Sequence, residues 1–500
     1  MLNRAAALLR RVEPVQAGAV LLAIAYTAGY FSDPALPGND PAQPLGWWVW
    51  WDQSQYIASA RAMARHDWAP VHHWYPLGYA MLAVPFVRLM PAHPFFFVDL
   101  ASLLACYGGF LMVARRVGIG TLWAVLAFVL AVAADKAFLL TWFEPWNTSP
   151  TAALLWLLLA AIAAHVAAPA VSYPRLGAIG LLAASIPLVR PVEALTAALC
   201  LAAVLLHDGL ARRIGWRGLL ALAAGAALVA LPYAVVYLHI YGLRQTDYMR
   251  ASRQLGFVPG DIGFKAYVLL VDPRAWFGTG QGLLQHAPWM VLGLAGIVPA
   301  LRAAAPPARW VLGLLALVLL AQAALYICYI DLLPPGLWYY RNVHYFKPLV
   351  PGMALLALLW LRQLLYGPRR PAILALAVVL AVLAVRIEPE PATPGDRARL
   401  AYFPGRDVGE VYLVPALALR DVRGVLPNIA NMRLVRLPDG IRAIALRRLF
   451  EGTPTWVPGA APPGLPPGLP PRLYAERVTI GWPGFLPPYP KSAGLSERPP

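Results

Sequence analysis

Long apolar runs recur between the N-terminus and residue 387 and limit what this chain can fold into. Most runs hold about 17–24 residues, and about 20 apolar residues in a helix are enough to cross a hydrocarbon core of about 30 Å. The chain is 60% hydrophobic and only 13% charged, whereas soluble domains carry about 25% charged residues. The sequence therefore predicts an all-α integral membrane protein.

Eleven runs are predicted to be transmembrane helices, near residues 15–31, 96–115, 119–138, 149–168, 174–189, 191–207, 217–240, 286–302, 308–328, 346–366 and 371–387. A further stretch, 76–91, has about 16 residues and several prolines, which is short for a span. If it does not cross, the arginines of the later short loops fall on the side of Arg4, Arg10 and Arg11, which is the positive-inside pattern. We therefore expect 76–91 to be an interfacial helix on the outer surface.

This topology divides the chain into two parts. Residues 1–387 form a transmembrane domain with a cytoplasmic N-terminus and a long first periplasmic loop, 32–95. The basic start lacks a small-residue cleavage pattern and resembles a retained anchor. Residues 388–500 form a Pro-rich periplasmic region, in which 395–450 are expected to be a small domain with some strand. The expected location is a bacterial-type cytoplasmic (inner) membrane.

The net charge of +17 does not indicate a nucleic-acid partner. The basic residues are scattered between the apolar runs, as expected for a topology signal in a protein surrounded by membrane lipids. The three cysteines, Cys106, Cys200 and Cys328, lie in or at the end of apolar runs. They therefore predict neither a disulfide framework nor a metal site.

One carboxylate, Asp52, follows four tryptophans in the first outer loop, in the segment Trp47-Trp48-Val49-Trp50-Trp51-Asp52. Tryptophan prefers the membrane–water interface, so Asp52 is expected at the height of the lipid headgroups. A carboxylate there could act as a general base on a lipid-linked substrate. It could also cap the helix that begins after it, and the tryptophans could be interfacial anchors only.

Other polar residues that the apolar pattern does not explain are also predicted on the outer side, which favours a cavity or a polar pathway there. They are Tyr56, Arg61, His72, His73, Asp135, Glu144, Arg190, Arg341 and His344. Structural alternatives stay open for several of them. Asp135 and Lys136 could be an exposed pair, Arg190 and Glu193 an ion pair of one helix, and Arg61 a surface charge.

Four short elements follow one another along the chain. An acidic residue, a tyrosine and an Ala-rich helix occupy 52–60, and Tyr75 to Tyr79 reads Tyr-Pro-Leu-Gly-Tyr. Residues 188–191 read Leu-Val-Arg-Pro, and 344–351 read His-Tyr-Phe-Lys-Pro-Leu-Val-Pro. In this order, and over residues 10–387, the pattern resembles the GT-C superfamily of membrane glycosyltransferases, of the protein O-mannosyltransferase and lipid A aminoarabinose transferase type.

The resemblance implies an inverting transfer of a sugar from a polyprenyl-phosphate donor to a lipid, glycan or protein acceptor of the envelope. Asp52 would be the general base, with Tyr56 beside it, and Glu144 matches a second acidic position of the family. The other candidate substrate-binding residues are His72, His73, Tyr75, Arg190, Arg341 and His344. Two positions depart from the family: Trp74 stands where some relatives have Lys, and His344 where Arg is usual.

Three questions stay open at this point. Asp52, Glu144 and the histidines could share a divalent metal ion, although no close ligand spacing supports it. A polytopic secondary transporter is the first alternative function, but transporters place polar residues near mid-membrane and often contain internal repeats, which this sequence lacks. The second alternative is a non-catalytic membrane subunit of an envelope assembly complex.

Overall fold

A computed structural model gives the structure of this chain and describes part of it. The described residues are 13–33, 36, 39, 51–246, 248–250, 262–271, 281–328, 342–367, 373–374, 376–377, 380, 399–402, 412–414 and 433–436. The chain divides into two compact units. The first comprises residues 1–251, 290–323 and 343–370, and the second comprises the rest.

Helices build the described part of the first unit. In chain order they are α1 (Pro14–Ser32), α2 (Trp51–Ala64), α3 (Leu77–Ala83), α4 (Phe96–Arg116), α5 (Thr121–Ala133), α6 (Lys136–Phe143), α7 (Thr148–Val166), α8 (Tyr173–Val189), α9 (Ala194–Leu210), α10 (Trp216–Tyr241), α11 (Trp289–Ala303), α12 (Pro306–Ile327) and α13 (Val350–Tyr366). The 3-10 turns are Pro70–His72, Val84–Phe86, Pro191–Glu193 and Asn342–Phe346.

The apolar helices make the chain a multi-pass membrane protein. Among the described residues, six helices are long and apolar enough to span a membrane, or seven if one bent pair counts as a span. Each of the first ten predicted segments contains a helix, but several are shorter than predicted, such as Trp289–Ala303 and Val350–Tyr366. The eleventh, 371–387, lies almost wholly outside the described residues.

The predicted helix 119–138 is broken in the structure. Helix α5 ends at Ala133, and α6 begins at Lys136 after a bend of 84°. Asp135 is the N-cap of α6, and its carboxylate accepts hydrogen bonds from the backbone N–H groups of Ala137 and Phe138. A capped helix start satisfies donors that a continuous helix would have bonded internally. Asp135 is therefore a cap, whereas the sequence favoured an exposed pair with Lys136.

The proline-containing segment 76–91 forms only a short helix. Helix α3 and the 3-10 turn after it cover Leu77–Phe86, which corresponds to about 15 Å at 1.5 Å per residue. That length is about half of a hydrocarbon core. The segment is therefore too short to cross, and its interfacial placement stays a prediction.

Helix α7 is the buried centre of the first unit. Trp156, near its middle, is fully buried and contacts the ring of Phe110 on α4 at 5.3 Å between centroids. Gly109 brings the backbones of the two helices together, because a Cβ there would lie 2.6 Å from the Trp156 carbonyl carbon. By contrast, α10 exposes large apolar side chains such as Leu228, Leu231 and Val235, as expected for a lipid-facing helix.

The two ends of α7 carry different polar groups. At its C-terminal end, His165 Nε2 lies 2.7 Å from Asp208 Oδ2, and both side chains are fully buried. His207 contacts the other Asp208 oxygen at 3.0 Å. The N-terminal end at Thr148 is about 28 Å away, at 1.5 Å per residue. There it meets the end of α8 and the 342–346 turn, and we call this end of the bundle the site end.

The second unit is described only in short pieces. They include the helices Ile262–Ala266 and Leu283–His286 and a π-helical turn, Tyr267–Val271. Within the predicted tail domain, the described residues form three strands, β1 (Arg399–Tyr402), β2 (Tyr412–Val414) and β3 (Arg433–Arg436). They pair antiparallel in the order β2-β1-β3, with Leu400 opposite Leu413 and Val435.

Candidate functional site

Asp52 lies in the first turn of α2, next to two tyrosines. The Tyr75 hydroxyl donates a hydrogen bond of 2.6 Å to Asp52 Oδ1. Tyr56, one turn after Asp52, is buried, and its ring lies 4.6 Å from that of Tyr75. Because α2 begins at Trp51, Asp52 stands inside the helix rather than at the capping position before it. A carboxylate is favoured there by the helix dipole.

Both phenols stay protonated at neutral pH. Burial, reinforced by the negative charge of Asp52, raises the pKa of Tyr56 and of Tyr75 well above its ordinary value. The hydrogen bond from the Tyr75 hydroxyl is stronger to a carboxylate than to a carboxylic acid, so this contact favours the ionised form of Asp52. The arrangement therefore presents a partly buried, oriented carboxylate.

The two neighbouring histidines have different surroundings. His73 is buried, with Nδ1 2.9 Å from Ser59 Oγ and Nε2 3.1 Å from the Asp67 carbonyl oxygen. Burial lowers the pKa of His73, so a neutral imidazole with both nitrogens engaged holds the loop in place. His72 is exposed and lies 3.3 Å from the Asp67 carboxylate. The predicted phosphate contact of these residues stays a prediction.

Glu144 and His344 meet across Trp146. Glu144 is fully buried just after α6, and Trp146 Nε1 donates to its Oε2 at 3.1 Å. The Trp146 ring stacks on the imidazole of His344, with 3.7 Å between centroids and 12° between planes. His344 Nδ1 lies 3.0 Å from Thr148 Oγ1, whereas Nε2 has no hydrogen-bond partner among the described residues.

His344 is neutral in this environment. Burial first, and then the positive charges of Arg190 and Lys347, lower the pKa of His344 well below its ordinary value. If the Thr148 hydroxyl donates to Nδ1, the ring carries its single proton on Nε2. His344 is then a neutral hydrogen-bond donor rather than a cation.

Arg190 is the buried cation of the site. Its guanidinium donates a hydrogen bond of 2.6 Å to Asn147 Oδ1 and lies 4.6 Å from the centre of the Tyr345 ring. Asn147 Nδ2 in turn donates to the Val189 carbonyl oxygen at 3.3 Å. Glu193, the predicted ion-pair partner of Arg190, is fully buried. Its carboxylate accepts hydrogen bonds from Thr196 and from Gln322 on α12.

Asp52 and Arg190 both influence the Tyr56 hydroxyl electrostatically. Both charges contribute to the electrostatic environment of the Tyr56 hydroxyl, where Asp52 raises the pKa and Arg190 lowers it. The structure thus brings Asp52, Tyr56 and Tyr75 into contact, with Arg190 within electrostatic range of Tyr56. Arg341 lies outside the described residues. Arg61 is near the surface, where it donates to the Pro91 carbonyl oxygen.

Metal ligation is a separate question. Within the ranges that the structure describes, no three His, Cys, Asp or Glu side chains lie close enough together to hold a metal ion. Asp52 and Glu144 instead accept hydrogen bonds from Tyr75 and Trp146.

Sequence reasoning missed several residues of the site end. Asn147 and Tyr345 hold Arg190, while Asp99 and Lys347 are charged and almost fully buried. Lys347 carried a usable signal, because it is one of only four lysines in 500 residues and lies inside an apolar stretch. Asp99 carried the same kind of signal, since a charge in a membrane helix usually has a specific role.

Gly78 sets the distance between α3 and the end of α8. A Cβ on Gly78 would lie 2.5 Å from the carbonyl oxygen of Leu188, two residues before Arg190. We expect Gly78→Ala to push α3 from this backbone and to destabilise the protein by about 1–3 kcal/mol, as overpacking does. Gly108→Ala is the control, because its Cβ meets nothing within 4 Å. Equal melting temperatures for the two variants would contradict the close approach.

No family model matches the chain, and no curated protein matches it. Two solved structures are similar: ArnT from Cupriavidus metallidurans bound to undecaprenyl phosphate, with a TM-score of 0.43 and 16% identity, and the same protein in the apo state, with 0.40 and 17%. Both matches cover 73% of this chain and 64% of ArnT, slightly less than two thirds of its length.

Proposed function

We propose that this protein is a GT-C-type glycosyltransferase that moves a sugar from a polyprenyl-phosphate donor to a hydroxyl group of an envelope acceptor. The observation that carries the proposal is a carboxylate, Asp52, which accepts the hydrogen bond of Tyr75 beside Tyr56. A buried guanidinium, Arg190, lies within electrostatic range of the same Tyr56. A base and a cation in one region suit a reaction that removes a proton from one substrate while negative charge develops on the phosphate of the other.

The proposed step is an inverting displacement. The acceptor oxygen attacks the anomeric carbon and forms the new glycosidic bond, while the bond from that carbon to the phosphate oxygen breaks. The leaving polyprenyl phosphate takes the bonding electron pair, and the hydroxyl proton passes to the Asp52 carboxylate. Tyr75 orients this carboxylate through its 2.6 Å hydrogen bond. A base aligned in this way typically contributes about 100- to 10,000-fold to the rate.

The leaving phosphate is assigned to Arg190 and His344. Arg offers two parallel N–H groups to phosphate oxygens, and Asn147 and Tyr345 hold this guanidinium in place. His344 would add an uncharged donor from Nε2. Arg341, close to His344 in the sequence, is proposed as a second cation for the same phosphate. Glu144 is proposed as the second carboxylate of the site, fixed by Trp146.

A transfer assay tests the function. The purified full-length protein in lipid nanodiscs would receive a panel of polyprenyl-phosphate sugars together with an extract of envelope acceptors. Release of polyprenyl phosphate, matched by an equal amount of glycosylated acceptor, is the expected result. Passage of intact substrate across proteoliposomes without bond cleavage would instead identify a transporter. If neither cleavage nor passage occurs, the non-catalytic subunit is favoured. Comparing envelope glycans with and without the protein would identify the acceptor.

The membrane topology gives a separate prediction. Fusion reporters after Pro500 and near Gly260 should report the outer side, and a reporter at Arg213 should report the cytoplasm. The reason is that the arginines of the short loops then all face the cytoplasm. A cytoplasmic signal from the Pro500 fusion would mean that the number of crossings is even. It would also contradict the placement of all candidate site residues on the outer side.

A further inference from the structure

Two buried ionisable side chains lie at the site end but outside the proposed catalytic groups. Asp99, in the first turn of α4, is 1% exposed, and Lys347, just before α13, is 2% exposed. Charges in a membrane interior are very unfavourable unless they are paired and hydrogen-bonded. Their retention in so apolar an environment therefore calls for partners and for a role.

The partners form one continuous chain. Lys347 Nζ donates to Ser149 Oγ at 2.7 Å and to the Thr141 carbonyl oxygen. The Ser149 side chain also interacts with the Asp99 carboxylate, which lies within electrostatic range of Lys347. The Tyr79 hydroxyl donates to both Asp99 oxygens, at 3.1 and 2.9 Å. We call Asp99, Ser149 and Lys347 the buried relay.

One end of the relay holds the loop that carries His344 and Tyr345. Lys347 is two residues after Tyr345, and its ammonium lies 5.0 Å from the centre of the Trp142 ring. The next residue is held too, because Trp156 Nε1 donates to the Pro348 carbonyl oxygen at 3.1 Å. The loop is thereby fixed against α6 and α7, and with it the Tyr345 ring that contacts Arg190.

The other end of the relay reaches the carboxylate side of the site. The Tyr79 ring packs edge-on against Tyr56, with 5.0 Å between centroids. Tyr56 contacts Tyr75, which holds Asp52. The relay thus lies between the elements that carry the proposed base and the loop that contacts the proposed phosphate-binding arginine.

We propose that Asp99, Ser149 and Lys347 are positioning residues, which hold the His344–Tyr345 loop in register with the Asp52 side of the site. This inference rests on the proposed glycosyl transfer. None of the three needs to touch a substrate. Their effect would be on the alignment of base and leaving phosphate, and a misplacement of about 1 Å can cost about 100-fold in rate.

Two variants separate positioning from mere charge compensation. Lys347→Met leaves Asp99 without its counter-charge, so it should lower both the melting temperature and kcat. The double variant Asp99→Asn, Lys347→Met leaves no uncompensated charge, so the melting temperature should recover. Its kcat should nevertheless stay about 100-fold below the wild-type value, because the hydrogen bonds from Lys347 Nζ to Ser149 and Thr141 are still missing. Recovery of kcat in step with the melting temperature would overturn the proposal.

Ser149→Ala gives a milder test that keeps both charges. Only the bridging hydroxyl is removed, so we expect a fall in kcat with little change in the KM for the donor. Ser102→Ala is the matched control. Ser102, on α4, is a buried serine like Ser149, and among its described hydrogen bonds it donates only to the Val98 carbonyl oxygen. Wild-type kcat in Ser149→Ala would count against the relay.

A measurement that needs no transfer activity distinguishes the two proposals. The Cys106 thiol is fully buried and lies within electrostatic range of Lys347. Labelling by N-ethylmaleimide, mapped by mass spectrometry, should be faster at Cys106 in both Lys347→Met proteins, because loss of the Nζ hydrogen bonds loosens the packing that buries this thiol. It should be unchanged at Cys200. Faster labelling in a protein that transfers no sugar would refute the enzyme but keep the positioning role. Unchanged labelling with wild-type kcat would refute the relay alone.

Discussion

Asp52→Asn should abolish most of the transfer activity while the protein still folds and inserts into the membrane. Asparagine keeps the size of the side chain and can still accept the hydrogen bond from Tyr75, but it cannot take up the proton of the acceptor hydroxyl. Loss of a general base typically costs about 100- to 10,000-fold in rate. The measurement is kcat at saturating donor and acceptor, with the melting temperature determined on the same samples.

Two further variants make this result specific. Asp67→Asn changes another carboxylate of the same region, which is 45% exposed and pairs with His72, and should leave kcat near the wild-type value. Tyr75→Phe removes the donor that favours ionised Asp52, so the acid limb of the pH–rate profile should move to higher pH. Near-normal turnover in Asp52→Asn would leave Asp52 with a structural role in the first turn of α2.

Arg190→Ala should produce the second large loss, about 100- to 1,000-fold in kcat/KM for the donor, as expected when a preorganised charge-stabilising donor is removed. The loss should fall on donor use rather than on acceptor use, because the guanidinium is assigned to the phosphate. Arg190→Lys should restore only part of the activity, since an ammonium group is a point charge without the planar fork of arginine.

The control for Arg190 is Arg61→Ala, which removes a guanidinium near the surface that donates to the Pro91 carbonyl oxygen. Its donor kinetics should match those of the wild type. Arg341→Ala is expected to weaken donor use more than acceptor use, in the same direction as Arg190→Ala. If neither Arg190→Ala nor Arg341→Ala changes the apparent donor affinity, phosphate binding must be reassigned. Because burial lowers the pKa of His73, exposed His72 would then be the first alternative.

Helix positions could be predicted from the sequence, because a segment that crosses lipid must be apolar and must satisfy its own backbone hydrogen bonds. Runs of apolar residues predicted α1, α4, α7 and α10 to within a few residues. The break between α5 and α6 escaped prediction, since Ala134 and Asp135 interrupt an otherwise apolar run without proline or glycine. Only the cap hydrogen bonds of Asp135 reveal that a new helix begins there.

By itself, the sequence determined that this is a helical membrane protein and which segments between the apolar runs carry its polar residues, because hydropathy and charge are local properties of the chain. It also singled out Asp52, Glu144 and Arg190. Only the tertiary structure decided their partners. Asn147 holds Arg190 from 43 positions away, and Lys347 reaches Ser149 across 198 positions. Such contacts depend on how helices pack, and the buried hydrogen bonds that fix them leave no periodic pattern in the sequence.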